Sequence, residues 1–222
     1  KAAKKYNARL SAIFENVPAY LSTHEKKVVL NQIEEGARFT QYEDPLFWLG
    51  DSMICNLCYK CNDPNVGFAL NKNDAFVKCY MGDTGLLVSH AFNENELMDQ
   101  QLYKQIMDGR LALNEGMLYE NVISQMIVAM DKKLFSYTKY NDEKHRNDIE
   151  IDFLISNESK VNFKINPIEV KSSKNYKTAS LDRFKQLFGK RIDSRIIIHP
   201  KNLSIDDELI RIPPYMLWCL FR

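Results

Sequence analysis

The chain has 222 residues, 45% hydrophobic and 27% charged, which is enough apolar material for one large or two small globular cores and excludes a disordered chain. Lys plus Arg number 30 against 29 Asp plus Glu, so the formal charge of +1 excludes a general attraction to nucleic acid or anionic membrane, and any such binding has to come from a local patch. No apolar run approaches the roughly 20 residues that cross a bilayer, no signal-type core follows "KAAKKYNARL", and the five cysteines have no framework spacing. A cytoplasmic protein without membrane contact is expected. Because the chain begins without Met, a longer parent carrying a partner domain is expected too.

Residues 1–70 read as a small helical unit closed by a hairpin. "YNARLSAIFENV" places Leu10, Ile13, Phe14 and Val17 on one helical stripe, and "KKVVLNQIEEG" predicts a second helix stopping at Gly36. "TQYE" predicts a third, with Thr40 as cap and Glu43 reaching back, although Pro45 should kink that helix or delay its start. "SMICNLCYKC" and "VGFAL", separated by "NDPN", read as a hairpin, which makes the order that of a winged helix. Cys55, Cys58 and Cys61 repeat every third residue without a fourth ligand or a knuckle, so half-buried packing is expected of them rather than a metal site.

Residues 71–113 read as a connecting segment. The polar "NKND" resembles a linker, "AFVKCYMGDTGLLVSHAF" predicts a strand and then a short helix capped by Asp83, and "ENELMDQQLYKQIMDG" predicts a solvated acidic helix or loop. From residue 114 to 222 the order becomes helix, strand, strand, helix, strand. "NEGMLYENVISQMIVAMDKK" carries an apolar arc of Leu118, Tyr119, Val122, Ile123, Met126 and Met130, with Asn121, Ser124 and Gln125 opposite and Glu120 at the rim. "DIEIDFLI" alternates, putting Ile149, Ile151, Phe153 and Ile155 on one face and Glu150 and Asp152 on the other. "FKINPIEVKS" should pair with it antiparallel, "TASLDRFKQLFGK" is a helix with Leu181, Phe184, Leu187 and Phe188 inward, and "SRIIIHP" is a strand buried on both faces.

A hairpin centred between Lys160 and Val161 sets Asp152 opposite Glu169 on the polar face, with Lys171 on the same side as Glu169. Two carboxylates so close repel unless one is protonated or a cation bridges them. Mg²⁺ suits such a pair, and a lysine two residues on can orient or deprotonate a water on the ion, which is what phosphodiester hydrolysis requires. The tripeptide Glu-x-Lys occurs three times, at Glu25, Glu158 and Glu169, and only the last lies in an apolar strand. The alternative is an amphipathic hairpin whose Glu and Lys are simply solvated. His145, in "DEKHRND", is read as a loop histidine.

"GMLYENVISQMI", "EIDFLI" and "PIEVKSSK", preceded by "GARFTQYEDPLFWLGDSMI" and "KCYMGDTGLL", resemble in order the C-terminal domain of unknown function that follows the AAA-type ATPase module of bacterial and archaeal ATPases. The resemblance implies a PD-(D/E)xK, restriction-endonuclease-like fold: an α+β, α/β-related three-layer core whose mixed sheet is flanked by helices, behind a winged-helix-like subdomain. It also implies catalytic roles for Glu120, Asp152, Glu169 and Lys171, with Asp152, Glu169 and Glu120 as Mg²⁺ ligands. Ile151 stands where the nuclease pattern has Pro. The implied partner is the ATPase module, and no Walker A pattern gives this chain an ATP site of its own.

Three functions from different classes follow, the last a purely structural, oligomerising domain for which the aromatic residues give no discriminating signal. The first is a Mg²⁺-dependent nuclease domain acting on nucleic acid, supported by eight Lys or Arg in residues 171–195 against Asp182 and Asp193, a local charge of about +6. The second is a catalytically silent regulatory module that binds nucleic acid or protein for its ATPase.

Overall fold

A computed structural model describes residues 2–65, 67–91, 115–157 and 164–221. The fold is mixed α+β with two mixed sheets and several helices. Residues 1–57 with 78–122 form one compact unit, and residues 58–77 with 123–222 form another. The expected boundaries at 70 and 113 run along the chain, whereas these units interleave: residues 58–77 cluster with the C-terminal part.

In the first unit, helix α1 (Ala2–Ser22) buries Ile13, Val17, Tyr20 and Leu21 against α2 (Glu43–Asp51) and α3 (Thr84–Ala91). The expected second α-helix is replaced by a short 3-10 turn, Leu30–Gln32. Lys26 is left-handed with φ 53°, Lys27 bridges to Lys78 in extended form, and Gly36 ends the segment at φ 72°, so the backbone cannot continue a helix there. Thr40 does not cap α2. It lies within a separate 3-10 turn, Phe39–Gln41, and the helix starts at Glu43. Pro45 thereby falls in the first turn, where its missing N–H removes nothing, since the first helical bond is Leu46 N–H to the Tyr42 carbonyl at 3.0 Å. Asp83 does cap α3, accepting the Leu86 N–H at 2.7 Å. Just before it, a Cβ on Gly82 would collide with the Met53 carbonyl oxygen, so only glycine fits.

The first sheet has the order β2-β1-β3-β4, from β1 (Cys55–Cys61), β2 (Lys72–Met81), β3 (Leu134–Asn141) and β4 (Arg146–Ile151). β1 runs parallel to β3, with Cys58 opposite Leu134, and β3 pairs antiparallel with β4. "VGFAL" is therefore not the hairpin partner: Phe68–Asn71 is a 3-10 turn entered through left-handed Gly67, and the "NKND" taken for a linker opens β2. Two α-helices separated by 3-10 turns stand where three helices of a winged-helix order were expected. Cys55, Cys58 and Cys61 are fully buried.

The second sheet has the order β5-β6-β7-β9-β8, from β5 (Phe153–Asn157), β6 (Lys164–Val170), β7 (Arg195–Ile198), β8 (Ser204–Asp206) and β9 (Leu209–Ile212). β6, β7 and β9 are parallel, and β5 and β8 close the edges antiparallel. Ile196, Ile197 and Ile198 are buried, as a strand with neighbours on both sides requires. Helix α5 (Ala179–Phe188) packs Leu181 and Phe184 into a core with Ile149, Ile151, Leu154 and Ile165, whereas Leu187, expected inward, is half exposed. Among the described residues no helix is long and apolar enough to cross a membrane. The acidic helix expected from "ENELMDQQLYKQIMDG" and the turn at Lys160 and Val161 lie outside the described residues.

Candidate functional site

The strand read as continuous through "DIEIDFLI" breaks at Asp152. β4 ends at Ile151 in one sheet, β5 begins at Phe153 in the other, and Asp152 is the bend between them. The break shifts the alternation: Ile149 and Ile151 share a core with Leu154, not with Phe153 and Ile155. Beyond the bend, Phe153 pairs with Ile168 and Asn157 with Lys164, the register of a hairpin centred between residues 160 and 161. Asp152 thus arrives beside Glu169. Its Oδ2 accepts the Val170 N–H at 2.8 Å, which fixes the carboxylate against the end of β6.

Glu169 sits in β6 with Ile197 of β7 as its neighbour, and it is only 2% exposed. Lys171 follows on the same side, its Nζ 2.7 Å from Glu169 Oε2. The Lys171 ammonium is thus an ion-pair partner of the carboxylate, and the Leu181 backbone N–H helps to hold the charged form. Burial pushes the Glu169 carboxyl up from 4.5 to about 7, the Lys171 charge counteracts this, and the Asp152 charge adds to it.

Glu120 belongs to the first unit, on helix α4 (Glu115–Ala129). Its carboxylate is taken up there: Lys26 Nζ bonds Oε1, and the Tyr80 hydroxyl donates to Oε2 at 3.1 Å. The buried face of α4 also differs from the expected arc. Met117, Glu120, Asn121, Ile123, Ser124 and Ile127 are buried, while Val122 is exposed. Asn121 explains the change, because its amide acts as a strand's backbone would: Oδ1 accepts the Met81 N–H at 2.8 Å and Nδ2 donates to the Met81 carbonyl at 3.1 Å. Among the described residues no three His, Cys, Asp or Glu side chains are grouped to hold a metal.

One pair escaped the sequence reading. His199, buried just past β7, holds Tyr176 through Nδ1 at 2.7 Å and meets the Asn202 carbonyl through Nε2 at 3.3 Å. A carbonyl only accepts, so Nε2 carries the proton and Nδ1 accepts from the phenol. Burial, with the Lys201 and Arg211 charges, holds the imidazole below its ordinary pKa and so neutral. The available signal was a histidine directly after "RIII", at the end of a buried strand. His145 lies in a turn at φ 48°.

The basic run of residues 171–195 is largely neutralised. Arg183 reaches Asp148, Lys185 reaches Glu208, Arg191 reaches Asp63 and Arg195 reaches Asp182. Among the described residues Lys174, Lys177 and Lys190 form no ion pair.

Residues 115–216 match a family model described as a domain of unknown function, DUF4143. Residues 1–97 match another such domain, DUF8612. No curated protein and no solved structure matches the chain. Glu120, Asp152, Glu169 and Lys171 all fall within the DUF4143 match, and Lys26 and Tyr80, which hold Glu120, fall within the DUF8612 match.

Proposed function

We propose that this chain is the nuclease-like part of a larger cytoplasmic AAA-type ATPase, of PD-(D/E)xK type, and that it hydrolyses phosphodiester bonds with Mg²⁺. The observation that carries the reading is the neighbouring pair of buried carboxylates, Asp152 and Glu169, with Lys171 beside Glu169. The match to a domain that commonly follows AAA-type modules supports the ATPase context. The donors fit a hard divalent ion: both are carboxylates, both are buried, and burial leaves Glu169 short of charge compensation. When bound, such an ion polarises a phosphoryl oxygen. Asp152 is held in place by the Val170 N–H, Glu169 by its strand, and Lys171, partly open to solvent, offers its ammonium to a phosphate oxygen.

Hydrolysis of single- and double-stranded DNA and RNA by the full chain, alone and joined to its ATPase module, tests this. Cleavage should need Mg²⁺ or Mn²⁺, stop on chelation, and fall at least about a hundredfold in Asp152→Asn and Glu169→Gln. Lys171→Ala should lose turnover while keeping the metal. Intact substrates throughout would overturn the reading. The second reading, a silent binding module of the ATPase, is favoured by one observation: Glu120, the third carboxylate of the implied set, is already taken up by Lys26 and Tyr80.

A further inference from the structure

Residues 171–178, "KSSKNYKT", join the end of β6 to α5. They carry three lysines and no acid. They leave the carboxyl ends of parallel strands, where sheets of this kind place their ligands. The loop is tied at three points: the Lys171 N–H donates to the Ile198 carbonyl at 2.8 Å, Tyr176 bonds His199 at 2.7 Å, and the Thr178 hydroxyl donates to Asp182 at 2.8 Å. Between these anchors Ser173 Oγ closes a local turn on the Asn175 carbonyl at 2.7 Å. Lys174 and Lys177 are exposed, as are Ser173 and Asn175, and among the described residues neither lysine forms an ion pair, while the arginines further along are paired with acids.

We propose that this loop is a sequence-independent grip for a nucleic-acid backbone, in which Lys174 and Lys177 bind phosphates next to Glu169 and Lys171, and the Tyr176–His199 pair holds them in position. The inference rests on the nuclease-like reading, since it names how that site takes its substrate. Ammonium groups on long stems suit point contacts with phosphate, and a loop already fixed at three points loses little further freedom on binding. Tyr176 and His199 are positioning residues, acting through the lysines.

The test is binding of a fluorescent 20-mer, single-stranded in one arm and duplex in the other, to the full chain in chelator, read by anisotropy across a salt series. Without metal nothing is cleaved, so grip and hydrolysis are read separately. Lys174→Ala with Lys177→Ala should weaken binding about ten- to hundredfold at 0.1 M salt. The same double variant should flatten the slope of log affinity against log salt by about 1.4 on single strands and about 1.8 on duplex. Tyr176→Phe keeps both charges, so it should weaken binding a few-fold at unchanged slope. Lys139→Ala, removing an exposed lysine on β3, should change nothing. An unchanged slope in the double variant, an equal fall in Lys139→Ala, or no binding by the wild-type chain would each overturn the proposal. If wild-type protein then still cleaves with Mg²⁺, the grip falls and the nuclease reading stands.

Discussion

Two glutamates are almost equally buried, Glu120 at 3% and Glu169 at 2% exposure, yet their surroundings treat them oppositely. Glu120 has a cation on one oxygen and a phenol on the other. Glu169 has the Lys171 ammonium beside Oε2, yet burial outweighs it and pushes the carboxyl up to about 7. Burial alone therefore does not mark a reactive carboxylate. The partners separate the two: Glu120 is met on both oxygens, whereas at Glu169 burial outweighs the one cation beside it.

The largest expected effect is at Glu120. Glu120→Ala leaves the Lys26 ammonium, itself only 16% exposed, without its partner and should cost about 3–5 kcal/mol in urea unfolding. A loss under about 1 kcal/mol would break the comparison. At Glu169 the sign reverses. The folded Glu169 keeps its proton up to about pH 7, whereas the unfolded group gives it up near 4.5. Its contribution is fully present below pH 4.5 and is lost as pH rises through 7, at most roughly 3 kcal/mol. Metal-free wild-type protein should lose stability across that window, and Glu169→Gln should flatten the profile and be no less stable at pH 8. A wild-type profile rising between pH 4.5 and 7 would contradict this.

Smaller effects sharpen the picture around Glu120. Asn121→Leu should cost about 2 kcal/mol, because the Met81 N–H and carbonyl then lose their buried partner. Asp83→Ala, removing the cap of α3, should cost about 1 kcal/mol. A larger loss in Asp83→Ala than in Asn121→Leu, by the same unfolding measurement, would misplace the anchor of this unit.

What could be read from sequence divides along physical lines. The β5–β6 register was legible because two apolar strands around a polar turn permit few pairings that keep their faces buried. The burial of Ile196, Ile197 and Ile198 was legible from unbroken apolarity. The bend at Asp152 was not, because counting alternate residues assumes an unbroken strand, and here the chain changes sheet at a side chain that bonds the next strand's backbone. The inward face of α4 was misread for a related reason: Asn121 is buried by what it bonds, which hydropathy does not record. The second helix failed on backbone conformation at Lys26 and Gly36, not on its apolar pattern. Strands β8 and β9, too short for a period to register, were not anticipated.

Calorimetric titration of the full chain with Mg²⁺ at pH 6.5, in two buffers of different ionisation enthalpy, tests the central contrast most directly. If Asp152 and Glu169 take the ion, binding must displace the proton that Glu169 holds at this pH, so most of one proton should be released per ion. The release should vanish in Glu169→Gln and persist in Glu120→Gln. Absence of Mg²⁺ binding, binding without proton release, or a release that survives Glu169→Gln would contradict the proposal that Glu169 takes the ion.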